Sequence, residues 1–177
     1  MITFLSGGAG TLSLIRGGVR QILYDSEIAV VANTAEDLWI SGGHCAPDID
    51  TAVFLFAGIL DTGRWWGIKG DTYATHNYLP KVAGGEPFPV GDRARAVQIA
   101  RAALLNEGLT LTEAVERQCR SLKIGATVLP MTDGDAALFV DTGTERIPLL
   151  TYRMAADPPG TEVRELVRPV PPAVTDR

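Results

Sequence analysis

Two carboxylates stand where a helix is predicted to begin. Asp48 and Asp50 follow Pro47, and an apolar stretch continues to Leu60. Proline suits the first turn of a helix, and acidic side chains there interact favourably with the helix dipole. Residues two positions apart do not share a helix face, so at least one carboxylate must lie in an irregular first turn if both contact one ligand. Such a pair can hold a magnesium ion that also binds phosphate. Alternatively, Asp48 caps the helix and Asp50 complements its dipole.

A glycine-rich loop near the start of the chain is a candidate for binding the phosphates. The apolar run Ile2–Ser6 stops at Gly7, Gly8 and Gly10, and the apolar residues after Thr11 fall close to helical spacing. This order of strand, glycine turn and helix is typical of a Rossmann-like α/β domain. Glycine lets the backbone approach a bound group, and the free N–H groups at the helix start attract an anion. A tight turn that simply needs glycine is the alternative.

Polar side chains also follow the second predicted strand, residues 27–32. Asn33, Thr34, Glu36 and Asp37 come directly after it. Polar residues beyond the carboxyl end of a parallel strand face the ligand crevice, and the first two strands are usually neighbours. We therefore expect these side chains beside the glycine loop, although turn formation and capping explain the same residues equally well.

A third group of charged residues opens a helix that is predicted to end at Gly108. Asp92, Arg93 and Arg95 either cap this helix and pair with one another, or hold an anionic ligand, since an arginine fork matches phosphate geometry. The residues predicted to form the apolar side of this helix are Val97, Ile99, Ala100, Ala103, Leu104 and Leu105.

The last third of the chain is predicted to form strands over residues 126–130, 137–141 and 146–152, separated by turns like those of hairpins. Asp133 follows the first of these strands and adds a polar group to the predicted crevice. Together these patterns predict an α/β fold, with a Rossmann-like parallel sheet, flanking helices and antiparallel strands near the C-terminus.

The domain is predicted to occupy residues 1–155, and the proline-rich stretch 156–177 is predicted to be a tail with one edge strand around residues 163–167.

Composition limits the classes of partner. The 21 acidic and 16 basic side chains give a net charge of −5, which argues against nucleic acid as a partner. No apolar run approaches the length of a membrane span, so no membrane association is expected. Cys45 and Cys119 lie far apart without metal-ligand spacing, which indicates reduced thiols and a cytoplasmic protein.

Six segments taken in order carry a resemblance to a known family. They are Ser6–Thr11, Asn33–Trp39, Pro47–Thr51, Arg64–Ile68, Gly91–Arg93 and Leu129–Asp133. In this order and spacing they resemble the 2-phospho-L-lactate transferases of coenzyme F420 biosynthesis. The resemblance covers roughly residues 1–141.

The resemblance implies a magnesium-dependent transferase. It would move a 2-phospholactyl or enolpyruvyl phosphate group from a guanosine diphosphate-linked donor to the deazaflavin acceptor 7,8-didemethyl-8-hydroxy-5-deazariboflavin, releasing GMP. Catalytic roles are implied for Asp50, Asp48 and Arg93, with Asp48 and Asp50 as the magnesium ligands. Substrate contacts are implied for Gly7, Gly8, Gly10, Thr11, Asn33, Thr34, Asp37, Trp39, Asp92 and Asp133.

The resemblance is to the N-terminal half of a family whose members are nearly twice as long. Leu12 and Ser13 stand where members usually have proline and lysine, so a cation beside the phosphates is missing. Three functions stay open: the transferase, a nucleotide-binding regulator without catalysis, and a subunit that contributes half a sheet. A homodimer or a partner that carries the missing half is among the expected assemblies.

Overall fold

The computed structural model describes residues 1–155 and 165–168, so most of the predicted tail lies outside the described residues. The strands are β1 (Ile2–Ser6), β2 (Ile28–Ala32), β3 (Leu38–Ile40), β4 (Gly43–Cys45), β5 (Thr127–Pro130), β6 (Phe139–Asp141), β7 (Arg146–Pro148) and β8 (Glu165–Val167). The α-helices are α1 (Ala9–Gly17), α2 (Pro47–Phe56), α3 (Ala74–Tyr78), α4 (Asp92–Asn106), α5 (Leu111–Ser121) and α6 (Leu149–Met154). Within these residues, none of the helices has both the length and the apolar character needed to cross a membrane.

The parallel sheet predicted from the sequence is present, with the strand order β1–β2–β5. A separate antiparallel sheet, in the order β7–β6–β8, lies near the C-terminus, and β8 falls within the predicted edge strand. The α/β fold class is therefore confirmed.

The main core lies between one face of the parallel sheet and three helices. Phe4, Val30 and Val128 stand in register across β1, β2 and β5. They pack in one cluster with buried side chains of α1, α2 and α5, among them Leu12 and Val115. All ten residues of α2 are buried, so its first turn, which carries Asp48 and Asp50, is held rigidly.

A β-hairpin lies between the parallel strand β2 and helix α2. β3 and β4 are antiparallel and are joined by Ser41 and Gly42, which both have positive φ angles, of 46° and 79°. Two such residues are the usual connection of a tight hairpin. The hairpin packs on a second, smaller core cluster that includes Cys45, Phe88 and Leu150.

Two predictions for the last third are wrong in detail. β5 joins the parallel sheet, so the turn at residues 133–135 does not connect an antiparallel pair. The predicted strand 146–152 ends at Pro148, and α6 follows, which lets Leu150 bury itself in the smaller cluster.

The predicted apolar side of α4 is only partly right, because Val97 and Leu105 pack against the main core but the fully buried positions are others. The buried positions of this helix are Ala94, Arg95, Gln98, Arg101 and Ala102, whereas Ile99 and Ala103 are exposed. The reason is electrostatic: α4 turns a polar stripe inward because its side chains find buried hydrogen-bond partners on α2, β4 and α5.

Candidate active site

Four of the predicted site residues line one cleft of about 500 Å³. Thr34, Asp37 and Trp39 reach it from the segment after β2, and Asp133 reaches it from the segment after β5. Its apolar wall includes Leu38, Leu105, Leu111, Phe139 and Pro148. A concave, largely apolar cleft of this size with a few polar groups suits a small organic ligand.

Several polar atoms around the cleft lack partners. Thr34 Oγ1, both carboxylate oxygens of Asp37 and Nδ1 of His44 are buried and have no hydrogen-bond partner within residues 1–155 and 165–168. Nε2 of His44 lies 3.9 Å from Oδ2 of Asp37, which is too far for a hydrogen bond. Buried polar groups are usually satisfied, so a cluster of unsatisfied ones indicates a ligand or water site.

Burial keeps both titratable groups of this cluster uncharged at neutral pH. Burial is the main reason that the pKa of Asp37 rises to about 8, and the neighbouring carboxylates Asp50 and Asp48 add to the rise. Burial, with a smaller contribution from the Arg101 charge, lowers the pKa of His44 to about 4. Strong shifts of this kind in a cleft are typical of functional sites.

Trp39 offers an aromatic surface at the same place. It stands directly opposite His44 in the β3–β4 hairpin, and the two rings meet edge-on with centroids 5.2 Å apart. The indole is 56% exposed, so one of its surfaces remains free for a planar ligand. The pairing of His44 with Trp39 depends on the hairpin.

Asp50 is the centre of a buried hydrogen-bond network. The guanidinium of Arg101, which is fully buried, donates to Oδ1 of Asp50, to the His44 carbonyl oxygen at 3.1 Å and to Oε1 of Gln118 at 3.0 Å. Oδ2 of Asp50 accepts from Nε2 of Gln98 at 3.2 Å and from the Ala46 N–H at 3.4 Å. The orientation of this carboxylate is therefore fixed by α4 and α5.

Asp48 has fewer partners. Its Oδ2 accepts from Nδ2 of Asn33 at 3.0 Å, and burial raises its pKa. The same Asn33 donates its backbone N–H to the Ser6 carbonyl at 2.8 Å, at the end of β1. Asn33 thus joins the carboxylate of α2 to the start of the glycine loop, as the predicted adjacency of the first two strands requires.

The donor set partly fits a magnesium ion. No group of three His, Cys, Asp or Glu side chains that could hold a metal is present in the described part of the chain. Magnesium, however, is usually held by one or two carboxylates together with phosphate oxygens and water. Asp48, which has a single hydrogen bond, fits this role better than Asp50, which Arg101 neutralises.

The glycine loop has the geometry that its sequence predicts. Gly8 adopts a φ angle of 131° directly before α1, in a region that favours glycine, and no side chain caps the helix there. A Cβ atom at Gly8 or Gly10 would meet nothing within 4 Å. The hydroxyl of Thr11 donates to the Leu5 carbonyl at 3.2 Å and ties the helix back to β1. Open space therefore surrounds an uncapped helix start.

The charged residues at the start of α4 are largely engaged in capping. The carboxylate of Asp92 accepts from the hydroxyl of Thr72 and from the N–H groups of Ala74 and Thr75, and these bonds lower its pKa. Arg93 donates through its guanidinium to the Lys69 carbonyl at 2.8 Å. Both residues thereby tie α3 and the segment before it to α4.

Asp71 caps the start of α4 and also lines a narrow cavity together with Asp50. Its carboxylate accepts from the N–H groups of Arg93 and Ala94 at 3.0 Å each, which caps α4. Asp71, Asp50, Gln98 and Trp66 line one narrow cavity. Asp133 is likewise a capping residue, because its Oδ1 accepts from the Thr112 N–H at the start of α5 at 2.7 Å.

Comparison with known proteins agrees with these motifs. The family model described as 2-phospho-L-lactate transferase CofD matches residues 2–155. A 2-phospho-L-lactate transferase of Methanocorpusculum labreanum is 52% identical over 140 residues, which are 79% of this chain and 46% of that protein.

Two further relatives carry the same name. The protein of Methanospirillum hungatei is 45% identical over 152 residues, 86% of this chain and 51% of that protein. The protein of Methanothermobacter thermautotrophicus is 39% identical over 174 residues, 97% of this chain and 56% of that protein. The chain spans about half the length of the curated relatives it matches. It belongs to the 2-phospho-L-lactate transferase family.

Proposed function

We propose that this chain provides the acceptor-binding and phosphate-binding part of a 2-phospho-L-lactate transferase in coenzyme F420 biosynthesis. The reaction moves a 2-phospholactyl or enolpyruvyl phosphate group from a guanosine diphosphate-linked donor to the deazaflavin acceptor and releases GMP. The observation that carries the proposal is that the glycine loop, the Asp48 carboxylate and the cleft lie next to one another. Asn33 joins the glycine loop to Asp48, and the next residue, Thr34, lines the cleft.

The cleft is assigned to the planar ring of the deazaflavin. Trp39 supplies a stacking surface, and the apolar wall matches the ring faces. Thr34, uncharged Asp37 and uncharged His44 can exchange hydrogen bonds with a neutral ring edge without burying a charge. The glycine loop and the start of α1 are assigned to the donor diphosphate.

The reaction requires a hydroxyl oxygen to attack a phosphorus atom in line with the bond that breaks. The new bond joins that oxygen to phosphorus, the P–O bond to GMP breaks, and the hydroxyl proton is released. Asp50, held by Arg101, orients the hydroxyl, and Asp48 would hold the magnesium ion. When bound, magnesium neutralises the charge that develops on the phosphate oxygens. Arg93, whose side chain is exposed, contacts the acceptor or the transferred phosphate.

A fluorescence titration tests the acceptor site. The chain is titrated into the deazariboflavin with and without magnesium and GDP, beside the variants Asp50→Asn and Asp37→Leu. Both variants are expected to weaken binding about tenfold or more. Asp37→Leu removes a hydrogen-bonding group of the cleft, and Asp50→Asn removes the carboxylate that orients the acceptor hydroxyl. Asp61→Asn, at a partly exposed position paired with Arg64, is the matched control and is expected to bind normally. Absence of binding by the unaltered chain contradicts the assignment.

A second candidate function is a binding subunit without catalysis. It is favoured by Leu12-Ser13, where family members usually carry proline and lysine. Magnesium-dependent release of GMP separates the two. Release by the chain alone supports the transferase, whereas deazaflavin binding without release supports the subunit. We also propose a cytoplasmic location, in keeping with the two free, buried thiols of Cys45 and Cys119.

A further inference from the structure

Gln98 is a buried amide beside the carboxylate that the proposed function assigns to the acceptor hydroxyl. It lies on α4 and is 3% exposed. Its Nε2 donates to Oδ2 of Asp50 at 3.2 Å, whereas its Oε1 is buried and has no hydrogen-bond partner within residues 1–155 and 165–168. A buried amide oxygen without a partner costs free energy that an apolar side chain would not cost. The amide therefore indicates a role beyond packing.

The charge of Asp50 decides which way this amide points. A carboxylate paired with arginine only accepts hydrogen bonds, so the amide nitrogen of Gln98 faces it and Oε1 points elsewhere. Asp50 and Gln98 both line the narrow cavity that also includes Asp71, and its volume of about 10 Å³ corresponds to one water-sized group. These acceptor atoms favour a small group that donates a hydrogen bond, and an alcohol hydroxyl is such a group.

Two residues of α4 hold the two oxygens of Asp50 separately. Arg101 donates to Oδ1, and Gln98, three residues earlier on the same face of the helix, donates to Oδ2. The carboxyl torsion of an aspartate is broad, so a single anchor leaves the second oxygen free to turn. The Ala46 N–H also points to Oδ2, but at 3.4 Å it lies beyond the usual range of such a bond. Gln98 is therefore the contact that fixes the plane of the carboxylate.

The position of Gln98 depends on a close approach between α4 and β4. Gly43, the first residue of β4, is buried, and a Cβ atom added there would lie 3.0 Å from Cβ of Gln98, which is shorter than an ordinary van der Waals contact. On α5, Gln118 donates to the Val97 carbonyl at 2.7 Å and holds the same turn of α4 in place. A larger residue at position 43 would push this turn away from the hairpin, and with it the amide that contacts Asp50.

We propose that Gln98 is a positioning residue of the transferase reaction and that Gly43 makes room for it. Gln98 holds Oδ2 of Asp50 in the plane in which this carboxylate accepts a hydrogen bond from the hydroxyl of the acceptor. Gln98 itself takes no part in bond formation. The inference rests on the proposed function, in which Asp50 orients that hydroxyl.

A comparison of two ligands tests this role. The unaltered chain, Gln98→Met and Gly43→Ala are each titrated into the deazariboflavin and into an analogue in which hydrogen replaces the reacting hydroxyl. We expect the unaltered chain to prefer the hydroxyl-bearing ligand about tenfold, as a hydrogen bond to a charged group predicts. In both variants the preference is expected to fall to about twofold or less, because the carboxylate is no longer held in the required plane.

Matched controls carry the same substitutions at exposed positions. Gln21→Met removes an amide that donates to a backbone carbonyl on the surface, and Gly17→Ala adds a Cβ atom that meets nothing within 4 Å. Both controls are expected to keep the tenfold preference. A purely structural role for Gln98 predicts instead that Gln98→Met weakens the binding of both ligands equally. That result overturns the proposal, and so does equal binding of the two ligands by the unaltered chain.

A chain that binds neither ligand contradicts the proposed function, and the contact between Gln98 and Asp50 is then tested without a ligand. In the NMR spectrum of the unaltered chain, one Nε2 proton of Gln98 is expected downfield of ordinary side-chain amide protons, because it is bonded to a carboxylate. Asp50→Asn and Gly43→Ala are both expected to reduce this shift. A resonance that neither variant moves overturns the proposal.

Discussion

Arg101 is the residue on which the polar centre of the molecule depends. It is fully buried between α4, α2 and α5, and its charge is balanced by Asp50. A buried ion pair adds little to stability compared with an apolar pair of the same size, but removal of one partner leaves the other charge buried and uncompensated. Substitution of either charged residue alone is therefore expected to destabilise the fold, even if the pair adds little to the free energy of unfolding.

We expect Arg101→Leu to lower the free energy of unfolding by about 3–5 kcal/mol, measured by urea denaturation, since it leaves the Asp50 carboxylate buried and unpaired. Arg120→Leu is the control, and its exposed i,i+4 contact with Glu116 predicts a change within about 0.5 kcal/mol. The double variant Asp50→Leu/Arg101→Leu is expected to be more stable than Arg101→Leu alone. A double variant that is less stable contradicts a charge-balance role.

Asp37 shows the opposite situation, a buried carboxyl that has no hydrogen-bond partner among the residues that the structure describes. Because its folded-state pKa is about 8 and its ordinary value is 3.8, the folded state retains a proton that the unfolded chain releases. The associated loss of stability is absent below about pH 4, grows between pH 4 and pH 8, and is constant above that range. A polar atom of this kind is kept at the expense of stability, as at many functional sites.

Asp37→Asn is accordingly expected to stabilise the chain by about 1–3 kcal/mol at pH 8 and by much less at pH 5, measured by urea denaturation at several pH values. Thr34→Val removes another unpartnered polar atom of the same cleft without removing a titratable group. Its effect is expected to be the same at every pH. If the free energy of unfolding gained by Asp37→Asn does not vary with pH, Asp37 is not a buried, uncharged carboxyl in the folded state.

At the scale of elements, α3 and α4 hold each other through their N-termini. Asp92, the first residue of α4, caps α3, and Asp71, from the segment before α3, caps α4. This exchange explains why the Gly91-Asp92-Arg93 segment has the composition of a helix entrance, independently of any ligand. It also places Asp71 against Gly91, where a Cβ atom would lie 2.4 Å from the Asp71 carboxylate.

We expect Asp71→Ala to lower the free energy of unfolding by about 1–2 kcal/mol, since it removes two hydrogen bonds from the first turn of α4. Amide hydrogen exchange should show the largest loss of protection at Arg93 and Ala94. Glu116→Ala, at an exposed position on α5, is the control and is expected to leave these amides protected. Unchanged exchange at Arg93 and Ala94 in the Asp71 variant would show that the cap has no role.

Local sequence patterns predicted the strands and helices whose apolar residues recur with a regular period. They did not predict the features that depend on contacts between residues far apart in the sequence. The order of strand, glycine turn and helix predicted β1 and α1, and the apolar run after them predicted β2. The buried side of α4 could not be predicted, because an inward arginine is favourable only when Asp50 lies 51 residues away in sequence and beside it in space. The partnership of Trp39 with His44 likewise depends on the hairpin.

The candidate site follows the same rule. Thr34, Asp37 and Asp133 were predicted to share a crevice from their position after parallel strands, and Trp39 was added by the family resemblance. The structure brings all four together in one cleft. Asp92 and Arg93 were singled out by their place at a helix start and by the family resemblance, and their hydrogen bonds are with capping partners. Arg101 and His44 carry no sequence signal, since a single basic or imidazole side chain is ordinary on any helix or strand.

At the scale of the whole molecule, the labelling rates of the two cysteines can show how the described part of the chain unfolds. Cys119 belongs to the main core and Cys45 to the smaller cluster beneath the hairpin, and both thiols are buried. Burial raises the pKa of each, that of Cys119 to about 11. Neither thiol is therefore reactive in the folded state.

Both thiols are expected to react with a disulfide reagent only when the chain opens, and at the same rate if the two clusters unfold together. Mass spectrometry after timed labelling measures the two rates separately. Cys45→Ala and Cys119→Ala variants serve as controls for the assignment of each rate. Faster labelling of Cys45 would show that the hairpin and its cluster open independently of the main core.

The pairing of Asp50 with Arg101 has a consequence for the electrical state of the site. These two charges cancel, while Asp37 and His44 are neutral at pH 7, so the acidic side chains that remain to meet a cation are Asp48, Asp133 and Asp135. A divalent cation that meets one carboxylate keeps a surplus of positive charge, and a diphosphate supplies what is missing. Cation and donor are then expected to bind as a neutralising pair, each much more weakly alone than in the presence of the other.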